Sequence, residues 1–400
     1  MGDERWKRYA LVAGWGAVLS IFAGGALFTI QSAIGRPSDF TIYLAAANAL
    51  RHNPHATIYS VATLASTHAT YGGCAPLPNS GYLYLPLLAL ALQPLTLVPC
   101  DAATAIWLAF NSSLMLACAI WLARWMGRRH GAGAALATAA LCVLSVPLYY
   151  GLYYGQAHLL ILGACLAAVS LMRRGHPRWA GAVLAVGAFI KYLPALLLVY
   201  YLARRQWAAG IGAAITSIAL ALVELALVGP ATLRASIFDI SGGLRAGIPQ
   251  SMTATLPYEP YIVAGLTLGV CLVIYLVLFR WGRADNPAAL GMSVGEAWAI
   301  GAMLFASPMV WYFYLTWLLP VVVALSSAAL TIPGRRLRWL SLSALAALFA
   351  LTFVAFLASL ALTVAALALW LLSALLLLRQ SGVLSLSIRR SRMRLAALPK

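Results

Sequence analysis

The chain has 400 residues, of which 63% are hydrophobic and only 9% are charged. This composition excludes an ordinary water-soluble domain and fits a chain solvated largely by lipid. The net charge of +18 does not indicate nucleic-acid binding, because most of the 27 Lys and Arg residues form short clusters between hydrophobic runs. That distribution is typical of the cytoplasmic loops of membrane proteins.

The order of the apolar runs predicts an all-α polytopic membrane protein with roughly twelve transmembrane helices or half-helices. We expect one integral membrane domain over residues 1–380 and a basic cytoplasmic tail over residues 381–400 on anionic lipid headgroups. Two extracytoplasmic loops are expected, a long first loop at 35–82 and a second at 230–258. The first span lacks a small-residue cleavage site and is expected to act as a signal anchor.

An acidic residue, Asp39, follows the first span and precedes the helical pattern FTIYLAAANAL. It is one of only nine carboxylates in the chain, and a carboxylate beside a membrane helix is a candidate for function. The alternative is a helix cap, since Ser38 or Asp39 would cap the helix that follows. On residue type alone the two interpretations are about equally supported.

The hydrophobic segment 82–99 contains three prolines and is followed by a full span that ends before the basic cluster 124–129. If both segments crossed the membrane, this cluster would lie outside, against the charge rule. Either segment 82–99 does not cross fully or the cluster is an exception, and the sequence leaves both open.

Two later segments place polar residues inside apolar sequence. Gln156 and His158 follow the aromatic run 148–154, whose alternative role is an interfacial belt. The segment 179–203 lies between two basic clusters and contains a proline, so we expect two short helices that meet near Lys191. Lys191 is one of three lysines and lies far from both clusters, which favours a function over snorkelling to the surface.

We expect the polar or broken elements to converge on a cavity at the outer face: 36–59, 148–158, 190–194, 248–254 and 307–314. Unwound backbone at membrane depth is tolerated where it lines such a cavity. A cavity with an acid, a lysine, a glutamine and many aromatic rings suits an anionic lipid-linked substrate and a hydroxylic acceptor.

The six cysteines contain no Cys-x-x-Cys pair, so the sequence indicates neither a disulfide framework nor a zinc site. Cys118, Cys142, Cys165 and Cys271 are expected to be small core residues. Three histidines in the first loop lack the spacing of metal ligands, so no bound metal or other cofactor is indicated, and the sequence leaves dependence on a divalent metal open.

The motifs, in their order along nearly the whole chain, resemble glycosyltransferase family 87, a bacterial family of polyprenol-phosphate-mannose-dependent GT-C enzymes. The matching residues are Asp39-Phe40, Tyr43-x-Ala45-Ala46, Ile58-Tyr59, Tyr82-x-Tyr84-x-Pro86-Leu87, Pro94-Leu95, Gly155-Gln156, Gly181, Ile190-Lys191-x-x-Pro194, and Ser307-Pro308 with Trp311. The chain departs from the family pattern at three places. Leu85 stands where a proline is usual, His158 where Asn is frequent, and Tyr312 to Tyr314 where a histidine often follows.

This resemblance implies a GT-C-type bundle and an inverting transfer of a hexose, with mannose favoured, from a polyprenyl-phosphate donor to a hydroxyl of a glycolipid or envelope glycan. It implies a site on the periplasmic face of the bacterial cytoplasmic membrane. Asp39 matches the family's general base. Lys191 is expected to stabilise the donor phosphate, with Arg234 and Arg245 as weaker candidates. The residues expected to bind substrate are Tyr43, Tyr84, Gln156, His158, Tyr192, Ser307, Trp311 and Tyr312.

Two other functions compete with a hexosyltransferase. A transporter or flippase of lipid-linked sugars should show a repeat between its halves, and the long first loop has no counterpart later in the sequence. A non-catalytic membrane assembly protein would need neither Asp39 nor Lys191. The expected partners are the lipid-linked donor, the acceptor and membrane lipids, without nucleic acid.

Overall fold

The computed structural model describes residues 2–36, 38–71, 77, 81–238, 259–281, 292–307, 311–332, 334–354 and 368–376. Over these ranges the chain is helical and has no β-strand, which confirms the all-α expectation. The helices are α1 (Gly2–Ala33), α2 (Asp39–His52), α3 (Val61–Tyr71), α4 (Pro86–Leu92), α5 (Cys100–His130), α6 (Ala132–Val143), α7 (Val146–Tyr153), α8 (His158–Arg173), α9 (Pro177–Ile190), α10 (Ala195–Ala203), α11 (Trp207–Phe238), α12 (Glu259–Trp281), α13 (Val294–Ala306), α14 (Leu319–Leu330), α15 (Arg335–Val354) and α16 (368–376). Two 3-10 helices cover Gln93–Leu97 and Tyr312–Leu318.

Four of the described helical segments are long and apolar enough to cross a membrane: Arg8–Ala33, Cys100–His130, Trp207–Ser236 and Tyr312–Leu330. The bent pair α6 and α7 makes a fifth if it counts as one span. Such runs form helices in lipid because their backbone groups find hydrogen-bond partners only within the helix. The expected total of roughly twelve helices or half-helices stays a prediction.

The proline-rich segment 82–99 folds into two short pieces, α4 and the 3-10 helix Gln93–Leu97, which pack against α2. Their combined rise is about 20 Å. The hydrocarbon core of a bilayer is about 30 Å thick. These two helical pieces are therefore too short to cross the membrane as a helix, which favours the first of the two explanations for the basic cluster after them.

The expected helix break at Lys191 is confirmed. Helix α9 ends at Ile190, Lys191 is extended with φ −151° and ψ 127°, and α10 begins at Ala195. Helix α9 is held against α11 by a very close approach at Gly181, where an added Cβ would lie 1.8 Å from the carbonyl oxygen of Ala209. Only glycine permits this contact, in the manner of small-residue helix interfaces in membranes.

The centre of the described bundle is α13, all of whose residues are buried. Its first turn carries a capping box, in which Ser293 accepts from the Glu296 amide and the Glu296 carboxylate accepts from the Ser293 amide. The same carboxylate lies 2.5 Å from the Arg173 guanidinium of α8 and accepts from the Tyr201 hydroxyl of α10 at 3.0 Å. One carboxylate thus ties three helices together at the end that bears the basic clusters.

A disulfide at Cys100 corrects the expectation from cysteine spacing. Cys-x-x-Cys spacing marks local motifs, and Cys100 belongs to none. Cys118, Cys142, Cys165 and Cys271 are free and buried, as expected.

The positions of the basic clusters predict opposite membrane sides for α3 and the loop after α14. Cysteine introduced at exposed Ser66 in α3 should react with an impermeant maleimide added outside cells. Cysteine at exposed Thr331 should react only after the membrane is opened, because it lies beside the cluster Arg335, Arg336 and Arg338. The unsubstituted chain gives the background. Labelling of Ser66→Cys from the cytoplasmic side alone would show that the chain has the opposite orientation in the membrane.

Candidate active site

Six of the twelve residues predicted for the site line one narrow pocket: Asp39, Tyr43, Tyr84, Gln156, Lys191 and Trp311. Its remaining lining residues are Ile42, Gly81, Leu83 and Tyr314. The cavity measures about 40 Å³, which is enough for water but well below the roughly 300–1,000 Å³ of small-molecule sites. A sugar can therefore enter only if the walls move apart.

Asp39 is the first residue of α2, and its backbone amide donates to the carbonyl of Tyr154 at 3.0 Å. The residue at the N-cap is Ser38, and its side chain makes no capping hydrogen bond. Asp39 is thus inside the helix rather than at the cap, and its carboxylate faces the pocket. This geometry removes the main support for the capping alternative.

The Gly155-Gln156 pair forms the turn that meets α2. Gly155 has φ +62°, and a Cβ added to it would lie 2.7 Å from Cβ of Phe40, so glycine is required on both counts. Its carbonyl accepts from the indole nitrogen of Trp107 at 2.7 Å, and the Trp107 ring stacks on Phe40 with centroids 5.4 Å apart. This packing fixes the position of Asp39, next to Phe40.

Gln156 joins two tyrosines from separate segments. Its side-chain oxygen lies 3.1 Å from the hydroxyl of Tyr43 and 3.1 Å from that of Tyr84, and the two hydroxyls are 3.0 Å apart. A carbonyl oxygen has two lone pairs, so both hydroxyls can donate to it. The network connects α2, the turn before α8 and the segment before α4.

Lys191 lies in the break between α9 and α10, and its ammonium donates to the hydroxyl of Tyr314. The ammonium is 4.4 Å from the ring centroid of Tyr314 and 5.4 Å from that of Tyr84, within cation–π range. The Tyr314 ring in turn stacks on Trp317 with centroids 4.4 Å apart. Sequence reasoning missed Tyr314 as a site residue. A signal existed, because residues three apart share a face of a 3-10 helix and Trp311 was already a candidate.

Glu224 of α11 binds the backbone of a neighbouring segment. Its carboxylate accepts from the amide of Leu87 in the first turn of α4 at 2.9 Å. The Tyr59 hydroxyl donates to the carbonyl of Tyr84 at 2.9 Å, and the Leu85 amide donates to the carbonyl of Ile190 at 3.4 Å. These bonds hold the Tyr84 segment beside Lys191 and give the Tyr-x-Tyr-x-Pro-Leu motif its structural role.

The electrostatics of the pocket set the state of its acid. Burial raises the pKa of the Asp39 carboxyl from 3.8 to about 7, and the charge of Lys191 opposes that rise. A carboxyl with a pKa near 7 can exist in both protonation states at neutral pH, as a general base requires.

An apolar groove of about 450 Å³ adjoins the pocket where Ile190 precedes Lys191. Its lining residues are Leu87, Leu88, Ala91, Leu92, Pro94, Leu95, Ile106, Trp107, Phe110, Leu160, Val186 and Ile190. Helices α4, α5, α8 and α9 and the 3-10 helix Gln93–Leu97 contribute these side chains. None is charged, so the groove suits an aliphatic chain.

Comparison with known proteins identifies the family. Residues 82–293, more than half of the chain, match the model of glycosyltransferase family 87. The chain belongs to glycosyltransferase family 87. The matched range includes Tyr84, Gln156 and Lys191, whereas Asp39 and Trp311 lie outside it.

Two mycobacterial relatives have the same name, polyprenol-phosphate-mannose-dependent alpha-(1-2)-phosphatidylinositol pentamannoside mannosyltransferase. The protein from Mycolicibacterium smegmatis (strain ATCC 700084 / mc(2)155) is 26% identical over 290 residues, 68% of this chain and 67% of the relative. The protein from Mycobacterium tuberculosis (strain CDC 1551 / Oshkosh) is 26% identical over 328 residues, 76% of this chain and 70% of the relative. No solved structure matches the chain.

Five further predicted residues of this family 87 chain do not line the pocket. His158 is fully buried, with its ring 5.4 Å from that of Phe313, because α8 begins there and turns the ring into the bundle. The others are Tyr192, half exposed beside Lys191; Ser307, buried at the end of α13; Tyr312, packed on Tyr150; and Arg234, beyond the kink of α11 at Gly229. Arg245 lies outside the described residues. Among the residues described, no group of three His, Cys, Asp or Glu side chains is arranged to hold a metal.

Proposed function

We propose that this family 87 protein transfers a mannosyl group from a polyprenyl-phosphate donor to a hydroxyl of a glycolipid or envelope glycan. The family supports a glycosyltransferase, and the names of the relatives support the donor class. The observation that carries the proposal is the pocket that Asp39 and Lys191 line together, beside an apolar groove. Such a pocket combines a base, a cation and a place for a lipid tail.

The reaction is an inverting displacement at the anomeric carbon. The carboxylate of Asp39 takes the proton of the acceptor hydroxyl as that oxygen attacks the anomeric carbon. The bond from this carbon to the phosphate oxygen breaks, and its electron pair leaves with the polyprenyl phosphate. A positioned general base contributes about 10²–10⁴-fold to such a rate.

The leaving phosphate gains negative charge, and Lys191 is the buried cation that would stabilise it. Because Tyr314 accepts from the ammonium, its single hydroxyl proton is available to Tyr84 or to a bound phosphate. The polyprenyl tail would follow from Lys191 along Ile190 into the groove. Each methylene that it buries there contributes about 0.8 kcal/mol.

We place the site on the extracytoplasmic side of the cytoplasmic membrane. Disulfides persist in oxidising compartments, and the disulfide of Cys100 lies at the end of α5 opposite the basic residues Arg124, Arg128 and Arg129. The same end carries α2 and the segment before α4, which pack together and bear Asp39 and Tyr84.

The raised pKa of Asp39 predicts a pH profile. The base acts only when deprotonated, so the transfer rate should fall about tenfold per pH unit as the pH is lowered below 7. The measurement is kcat/KM from pH 5 to pH 9 at fixed ionic strength. A rate that is flat down to pH 5 would mean that the base has an ordinary carboxyl pKa.

Two substitutions of Lys191 distinguish the effect of its charge on donor kinetics from the effect of its packing. Lys191→Met keeps much of the side-chain volume without the charge, and we expect the donor KM to rise and kcat to fall. Lys191→Arg keeps the charge with altered geometry and should be partly active. Donor kinetics identical to wild type in Lys191→Met would remove this residue from the site.

Asp39→Asn tests the proposed base directly. Asn retains nearly the shape of Asp but cannot take a proton, so the variant should fold, bind donor and lose transfer by at least ~10²-fold. Asp39→Glu should also lose most activity, because a shift of about 1 Å can cost on the order of 10²-fold. Asp101→Asn, at the exposed start of α5, is the matched control and should transfer normally. Wild-type transfer by Asp39→Asn would rule out the proposed base.

A further inference from the structure

A run of aromatic side chains borders the pocket outside the residues that line it. We call it the tyrosine rim: Tyr150, Tyr153, Tyr154 and Tyr312. Successive ring centroids are 5.2 Å apart for Tyr153 and Tyr154, 4.8 Å for Tyr154 and Tyr150, and 5.3 Å for Tyr150 and Tyr312. The first three are half-buried, so their rings are partly open to ligand.

The rim meets the pocket through Tyr154 and Tyr312. The carbonyl of Tyr154 accepts the backbone amide of Asp39, and Tyr312 directly follows Trp311, which lines the pocket. At the far end, exposed Arg36 donates from its guanidinium to the Tyr153 hydroxyl at 3.0 Å. A cation and four tyrosines thus lie in one run beside the predicted base.

The rim and the apolar groove share no residue. The groove reaches the pocket through Ile190, next to the predicted phosphate-binding Lys191, whereas the rim reaches it through the neighbours of Asp39. In an inverting displacement the nucleophile and the leaving group lie on opposite faces of the anomeric carbon. If the donor tail fills the groove, the rim is the open side from which an acceptor hydroxyl reaches Asp39.

The chemistry of the rim limits what this acceptor is. Tyrosine presents an apolar ring face and a hydroxyl, which together suit the carbon face and the hydroxyls of a sugar. The Arg36 guanidinium retains donors beyond its one bond to Tyr153, and guanidinium groups bind phosphate and carboxylate through paired hydrogen bonds. A neutral glycan would leave this cation without an anionic partner.

We infer that the tyrosine rim and Arg36 form the acceptor subsite, and that the acceptor is an anionic glycoside with a phosphodiester or carboxylate close to the sugar that is glycosylated. This inference rests on the proposed transferase function. The tyrosine rings hold the acceptor sugar, and Arg36 holds its anionic group.

Binding of small acceptor analogues tests the inference without requiring transfer. The probes are methyl α-mannoside, its 6-methylphosphodiester and the corresponding methyl mannuronoside, titrated into purified full-length protein by ligand-observed NMR. Wild type should bind a charged probe about tenfold more tightly than the neutral one. The two charged probes distinguish a phosphodiester acceptor from a carboxylate acceptor.

Three variants show which side chains cause the preference for charged probes. Arg36→Gln should remove the preference for charged probes and leave neutral binding unchanged, whereas Tyr153→Ala should weaken all three probes because a ring is lost. Arg51→Gln is the matched control, since Arg51 is an exposed arginine at the other end of α2 whose side chain bonds to the carbonyl of Thr96. It should bind every probe as wild type does. Donor KM should be unchanged in Arg36→Gln.

Several results would overturn the inference. These are no saturable binding of either charged probe, equal binding of charged and neutral probes, an Arg36→Gln titration identical to that of Arg51→Gln, or a raised donor KM in Arg36→Gln. The first three would leave the rim as an interfacial aromatic belt. Probe binding is measured without catalysis. If transfer is intact but the protein shows no Arg36-dependent preference for charged probes, only this inference is contradicted. Intact rim binding in a protein without transfer contradicts only the proposed function.

Discussion

The placement of half-buried Asp39 and buried Lys191 in one pocket is the constraint that the surrounding helices satisfy. An isolated charge is costly in a chain solvated by lipid, so each side chain needs an opposite charge or hydrogen-bond partners. Lys191 has the Tyr314 hydroxyl and two tyrosine rings. Asp39 is positioned through its backbone by Tyr154. The pocket keeps both groups largely away from water. Electrostatic interactions are stronger in such a low-dielectric site than in water.

Helix breaks are what bring these residues together. Asp39 begins α2, Lys191 occupies the gap between α9 and α10, Gln156 lies in the turn before α8, and Tyr84 precedes α4. Each break frees backbone groups that must be bonded elsewhere, and the freed groups bond to one another: the Asp39 amide to Tyr154, the Leu85 amide to Ile190. The hydrogen bonds between these helix breaks thus stabilise the pocket that the breaks form.

Much of this arrangement was readable from the sequence. Apolar runs predicted the helices, and a proline after an isolated lysine predicted the break at Lys191, because these signals are local. The disulfide of Cys100 left no Cys-x-x-Cys signal, and the bond of Tyr314 to Lys191 joins residues 123 apart in the sequence. The position of His158 was not readable in this way. Its place after Gln156 suggested a site residue, yet α8 begins there and buries the ring.

The most direct measurement is made on purified protein in liposomes with a radiolabelled polyprenyl-phosphate mannose and a mixture of envelope glycolipids. Sampling over time should show label moving to a glycolipid, with one polyprenyl phosphate released for each sugar transferred. Transfer should also proceed in detergent, where no bilayer separates two compartments. The contrary result is label that crosses the bilayer while still attached to its lipid, with no glycolipid labelled, as a flippase would produce.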